Sequence, residues 1–423
     1  MIHGYQNSIR LPTYHVESIC AGRMDPFNCL PIPTNLEIDH LVRYLITKFD
    51  LNPVPANRRK SWFPYALQNA PMMHSTLAMT AAMWRAESPV LERSIQIEGM
   101  RQKGEALRLV RAHLGLVSGL PDSSVADDKD STFVMSAMST LVIIEVLDGD
   151  FEAAEIHLRG VHNLFSLRGG HDSFRDKWVF CKSTNLADIQ VAVALGRQLR
   201  FPRLHRDEVV LPSSITNHAQ HPPFHSSIAR GSSPECATIF TQLRQLLLAR
   251  QSTVPHEAQL ILLNIVDELI LQYLYQDQDR FEDRSIPRNS CALVLAAHVF
   301  MYVTLRQVPP KSPLIRRICT RLLDVVKFGV EVGIDPTAKQ IWKEDKTALL
   351  WIAFVGILGT GERTETCLEG QSFLHLFWLA IQEHSRDFSP GTGNLQDTLS
   401  AFLWDESSCQ PLLAWLEDHH TTT

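Results

Sequence analysis

The sequence predicts an all-α protein, a large helical bundle or array, on three observations. Apolar residues recur at helical spacing along most of the chain. Some stretches, 131–147 and 349–359 among them, are apolar on nearly every side, the character of helices in the middle of a bundle. No run of alternating β-branched residues lies between hairpin turns. With 423 residues, 45% hydrophobic and 20% charged, the chain can bury a large core without metals or disulfides.

Taken in order, helical periodicity marks 35–49, 74–86 and 90–116. The apolar helix 131–147 ends at Asp-Gly-Asp, 148–150, and Asp150 is the N-cap of the next helix. In that helix Ala154, Leu158, Val161 and Phe165 share one face, spaced i, i+4, i+7 and i+11. Gly160 costs it about 1 kcal/mol relative to alanine, which close approach to the preceding helix would offset. Gly169 and Gly170 supply the left-handed backbone that stops it, with Arg168 at its carbonyl end. Further helices are expected over 185–199, 238–250, 256–275, 291–306, 313–331, 338–358, 370–384 and 395–404. The runs 292–305 and 349–359 are shorter than the ~20 residues that cross a bilayer, so no membrane span is expected. Polar loops are expected over 121–131, 212–235 and 389–394. The organisation is then an N-terminal extension (1–20), a first helical block (21–211), a Pro/Ser/His-rich loop (212–235) and a second block (236–423), together one compact unit.

Composition excludes some functions. The net charge of −6 speaks against direct nucleic-acid binding through counterion release. Arg58-Arg59-Lys60 is a solvated loop and a weak import signal at best. Eight scattered cysteines, with no Cys-x-x-Cys, fit reduced thiols of nucleus or cytoplasm, and no metal site is expected.

Motifs for chemistry fail one by one. Gly356-x4-Gly361 carries Glu362 where a phosphate loop needs lysine. His256-Glu257 lacks the second histidine of a zinc helix, with Leu260 in its place. Asp127, Asp128 and Asp130 resemble a magnesium cluster but sit in a polar stretch without a second ligand set. His218, His221 and His225 would have to order a loop before holding a metal. His157 and His162 point about 140° apart and cannot share a ligand. Aromatic residues concentrate near the C-terminus: Trp342, Trp351 and Phe354, then Phe373, Phe377 and Trp378. They pack a core or wall an apolar pocket for a flat metabolite. The candidate ligand-binding set is Trp342, Trp351, Phe354, Phe377, Trp378 and His157, with no catalytic residue identified and no cofactor expected.

Five phrases in this order carry a resemblance: "GRMDPFNCLPI" (22–32), "SWFPYALQNAPMMHSTLAMTAAM" (61–83), "EIHLRGVHNLFSLRGG" (155–170), "ALLWIAFVGI" (348–357) and "FLWDESSC" (402–409). Together they resemble the helical regulatory domain of fungal-specific transcription factors. In that family the domain follows a zinc cluster built from two Cys-x2-Cys-x6-Cys sets, which Cys20 and Cys29 cannot supply. The resemblance implies a regulator of fungal secondary metabolism without its own DNA-reading module. Its partner would be a small metabolite or a second regulatory protein, and a homodimer stays open. The other reading is a cofactor-free cyclase or hetero-Diels–Alderase that uses the helical scaffold as a substrate cavity.

Overall fold

The computed structural model describes residues 29–48, 62–88, 90–118, 128–204, 209–220, 233–276, 288–310, 312–330, 346–361, 367–385 and 395–420. Among these residues there are seventeen α-helices and no strand, so the array is all-α. The first nine are α1 (Leu36–Lys48), α2 (Trp62–Ala66), α3 (Ala70–Glu87), α4 (Arg93–Ser118), α5 (Asp128–Asp148), α6 (Phe151–Leu167), α7 (His171–Phe174), α8 (Trp178–Leu195) and α9 (Ser213–Gln220). The remaining eight are α10 (Pro234–Arg250), α11 (His256–Tyr275), α12 (Arg288–Phe300), α13 (Pro313–Val330), α14 (Lys346–Thr360), α15 (Leu368–Ser385), α16 (Leu395–Ser400) and α17 (Glu406–His420).

The α6 region shows how local chemistry sets the ends of a helix. The Asp150 carboxylate accepts the Ala153 N–H at 3.0 Å and closes the first turn. At the other end Gly169 and Gly170 have φ of +91° and +65°. Their N–H groups donate to Ser166 O at 3.4 Å and Phe165 O at 2.9 Å, which satisfies the last carbonyls. Ala154, Leu158, Val161 and Phe165 are buried, as the periodicity predicts. A Cβ at Gly160 would stand 3.2 Å from Met138 Cε of α5, so the glycine does mark close approach to the preceding helix.

Helices that are apolar on all sides occupy the interior. α5 packs against α3, α6 and α8, and one of the hydroxyls on its apolar surface is paired across the interface: Ser139 and Thr184 of α8 lie 2.8 Å apart. α5 and α11 have the length and hydropathy of a membrane span, yet 89% of the α5 window is buried inside the array. α8 is the pivot. It touches α5 and α6 on one side, α11 and α13 on the other, and most of its residues from Val179 to Ala194 are buried. Beyond it α12 contacts α10, α11, α13 and α14, and α14 lies against α15. The buried apolar residues form one cluster from Ile32 to Leu416.

Several expectations are corrected. Residues 213–220, assigned to a loop, form α9, because Ile215 and Ala219 lie one turn apart and bury against α10. Residues 128–131, also assigned to a loop, form the first turn of α5. The helix over 185–199 begins seven residues earlier and ends at Gly196, whose φ is +69°. The Ser233 hydroxyl caps α10 through the Cys236 N–H at 3.2 Å, which starts that helix four residues before the expected 238. The helix expected over 395–404 stops at Ser400. α17 was missed because Pro411 sits inside it. The predicted start of the 338–358 helix lies outside the described residues.

Two glycines in helices give opposite predictions. A Cβ at Gly356 of α14 would overlap the Phe373 ring of α15, whereas nothing lies within 4 Å of one at Gly104 of α4. Gly356→Ala should lower the unfolding free energy by about 1–3 kcal/mol. Gly104→Ala should raise it by up to about 1 kcal/mol. Urea midpoints with unchanged slopes check both signs.

Candidate functional site

The predicted aromatic set meets between α14, α15, α10, α12 and the segment before α17. Trp351, Phe354 and Phe377 are at most 1% exposed. The Trp351 ring stacks on Phe402 (centroids 5.3 Å apart) and lies 5.5 Å from Phe240 and 6.4 Å from Phe300. Its indole N–H donates to Leu403 O at 3.3 Å. Phe354 stacks on Trp404 at 5.9 Å and approaches Phe377 at 6.4 Å. Trp378, half-buried, meets Phe377 edge-on at 5.3 Å. These rings cover one another's faces. Trp342 lies outside the described residues.

His157 is not among them. It stands on α6 in a surface charge network. Its Nε2 is 3.7 Å from Glu145 Oε1, and the Lys103 ammonium reaches Glu145 at 2.8 Å and Asp148 at 3.2 Å. Arg85 pairs with Asp148, so α3, α4, α5 and α6 are joined by one chain of charges. Lys103 and His157 hold the Glu145 carboxyl below its ordinary range against the opposing effect of burial. His162 packs edge-on against Phe201 at 5.1 Å.

Next to the aromatic core, α13 and α15 leave a half-open groove of about 330 Å³, near the lower end for small-molecule sites. Lys327 lines it from α13, and Leu368, Ser372, His375, Leu376 and Leu379 from α15. These α15 positions fall on one helical face, spaced i, i+4, i+7, i+8 and i+11. The buried edges of the same helix, Phe373 and Phe377, belong to the core. Core packing thus fixes the rotation of α15 and turns a mixed leucine and polar face to the groove.

A second constellation, missed in the sequence, lies in the interior. Asp267 of α11 is fully buried; His298 Nε2 lies 2.8 Å from its Oδ1, and Arg306 Nε donates to its Oδ2 at 2.9 Å. Arg306 Nη2 also donates to Asn264 Oδ1 at 2.8 Å, and its guanidinium stands over the Tyr302 ring at 5.4 Å. Tyr302 is 1% exposed, and burial together with the Asp267 carboxylate beside it pushes its hydroxyl well above the ordinary value. The backbone is unusual here. Met301–Leu305 form a π-helical turn, which ends at Gln307 with φ of +54°. The extra residue per turn brings Arg306 back over Asp267. The signal was legible: Asp267 interrupts the apolar face Leu263, Ile270 and Leu274, and His298 lies in an otherwise apolar run. Burial pushes His298 below its ordinary 6.5, against the pull of Asp267, so the ring is neutral and donates to the carboxylate. Asp267 and His298 are buried, and the centre braces α11 and α12.

Burial pushes Cys181, Cys236, Cys291 and Cys409 up to about 12, which leaves them as protonated core residues. Among the described residues no three His, Cys, Asp or Glu side chains are grouped to hold a metal. His218 lies on α9, while His221 and His225 lie outside the described residues.

The chain matches the family model of the fungal specific transcription factor domain over residues 37–358. No curated protein and no solved structure matches significantly.

Two predictions follow from the buried groups. Asp267→Asn strips Arg306 and His298 of their carboxylate and should cost about 3–5 kcal/mol of stability, read by urea unfolding. The second concerns pH. Burial holds His298 and His74 below 6.5 in the folded chain, so the unfolded chain binds more protons below that pH. Their neutral forms therefore favour folding at neutral pH, and this advantage is lost as pH falls from about 6.5 toward their folded values. His298→Gln should show a smaller drop in urea midpoint than wild type between pH 7.5 and 5.5. Equal drops would contradict the assignment.

Proposed function

The chain belongs to the fungal-specific transcription factor domain family, and on that premise we propose that it is a regulatory body acting in the nucleus through a small molecule or a partner protein. The carrying observation is the family match over 37–358 together with the structure's division of labour. The aromatic and charged residues that chemistry would need are spent on packing: Trp351 and Phe354 in the C-terminal core, Asp267 and His298 in a buried brace. Beside that core, among the described residues, α13 and α15 leave a groove open to solvent, which supports a binding role. The 423 residues contain no Cys-x2-Cys-x6-Cys set and carry a net charge of −6, so this body contributes to transcription by contacts other than phosphate binding.

Binding and regulation are linked by mass action. A ligand that favours one arrangement of α13 against its neighbours shifts the population of that arrangement by its differential affinity, and by no more than that. The test is transcriptional. Tethered to a heterologous DNA-binding module, the full chain should change expression of a reporter carrying that module's site. Deletion of the gene should lower a defined set of transcripts. A silent reporter together with an unchanged transcriptome would reject the regulatory reading.

A further inference from the structure

The groove between α13 and α15 combines an apolar wall with a cation. Its floor and rim carry three leucines, Leu368, Leu376 and Leu379, and Leu368 is 74% exposed. Beside them stands the half-buried cation Lys327, with no carboxylate within ion-pair distance among the described residues. Most other lysines and arginines set between helices here have such a partner: Lys103 with Glu145, Lys182 with Glu257, Arg197 with Glu155 and Arg203 with Glu268. A cation in a partly desolvated, apolar setting attracts a counter-charge more strongly than one in open water. His375 lines the same groove and has ring nitrogens that can donate to an anion. The Ser372 hydroxyl donates back to Leu368 O of its own helix at 2.9 Å, so its proton is not offered to the groove.

We propose that this groove binds a small amphipathic organic anion, a carboxylate with an apolar body, whose charged group meets Lys327 and His375 while its apolar part lies on the leucines. The volume of about 330 Å³ accommodates a chain or fused-ring body of roughly ten to fifteen heavy atoms. An acidic metabolite of this kind would be the small-molecule signal of the proposed regulator, and in that sense the assignment rests on the regulatory reading. α13 also carries Arg321, whose guanidinium holds the carbonyl end of α8. A ligand bound at Lys327 thus sits less than two turns along the same helix from the contact between the two halves of the chain.

The test uses the full-length chain with 1-anilinonaphthalene-8-sulfonate as fluorescent probe and decanoate and decanol as competitors of matched length. Decanoate should displace the dye at least about tenfold more effectively than decanol, one charge-assisted contact's worth. Lys327→Gln should erase that preference and Lys327→Arg restore it, with unchanged far-UV circular dichroism. Ser372→Trp should fill the groove and weaken both competitors. Equal displacement by the acid and the alcohol would overturn the proposal. So would a preference for decanoate that survives Lys327→Gln, or no displacement by decanoate below its micellar range. The reporter assay is read separately: charge-selective binding with a silent reporter would reject the regulatory reading and leave the groove assignment standing.

Discussion

The guanidinium of Arg321 lies on the carbonyl end of α8, and much of the architecture depends on that contact. It donates to the carbonyls of Val193 and Ala194 and, at 2.7 Å, to the Tyr275 hydroxyl. A helix C-terminus leaves four carbonyls without partners, and burying them unsatisfied would be costly. α8 must be buried at that end because its apolar surface is shared by helices from both halves of the chain. A cation there also meets the negative end of the helix dipole. Gly196, in the left-handed conformation, lets the chain leave α8 beside the Arg321 side chain, and Tyr275 fixes the guanidinium from the end of α11. One side chain therefore joins α8, α11 and α13.

Buried acids extend the same logic. Asp188 of α8 is almost fully buried, yet accepts the N–H groups of Arg200 and Phe201 at 2.7 Å each and folds the segment after α8 back onto it. Burial raises its carboxyl above the ordinary range, and those donors work in the opposite direction. Asp267 performs the corresponding task between α11 and the π turn after α12. In both places an ionisable group on an apolar helix is tolerable only because backbone or guanidinium donors surround it. Such groups add geometric specificity that leucines alone would not, since Arg306 and His298 each meet one oxygen of the Asp267 carboxylate.

Much of this was legible from residues. The fold class followed from period and from the lack of strand patterns, and Asp150, Gly160, Gly169 and Gly170 behave as their local chemistry requires. Family membership was readable from the ordered phrases between 22 and 409. Helix ends were less legible, because burial decides them: α9 exists through Ile215 and Ala219 on α10, and α17 continues through Pro411. The site was least legible. Trp351, Phe354, Phe373 and Phe377 share a core, a property of three-dimensional stacking that spacing cannot distinguish from a pocket wall. The groove beside them is marked by a lysine with no carboxylate at ion-pair distance among the described residues, and what stands opposite a side chain is not written in one dimension. Asp267 and His298 did leave a trace as polar residues on apolar faces, 31 positions apart.

The central claim is that α8 and its Arg321 contact make the helices before residue 211 and those after 236 a single cooperative body. Native-state hydrogen exchange of the full chain under mild denaturant tests it directly. The account predicts that the slowest amides of α5, in the first half, and of α14, in the second, exchange through the same global opening, with equal free energies and equal denaturant dependence. Exchange of either helix through a separate, lower-energy opening while the other stays protected would contradict it.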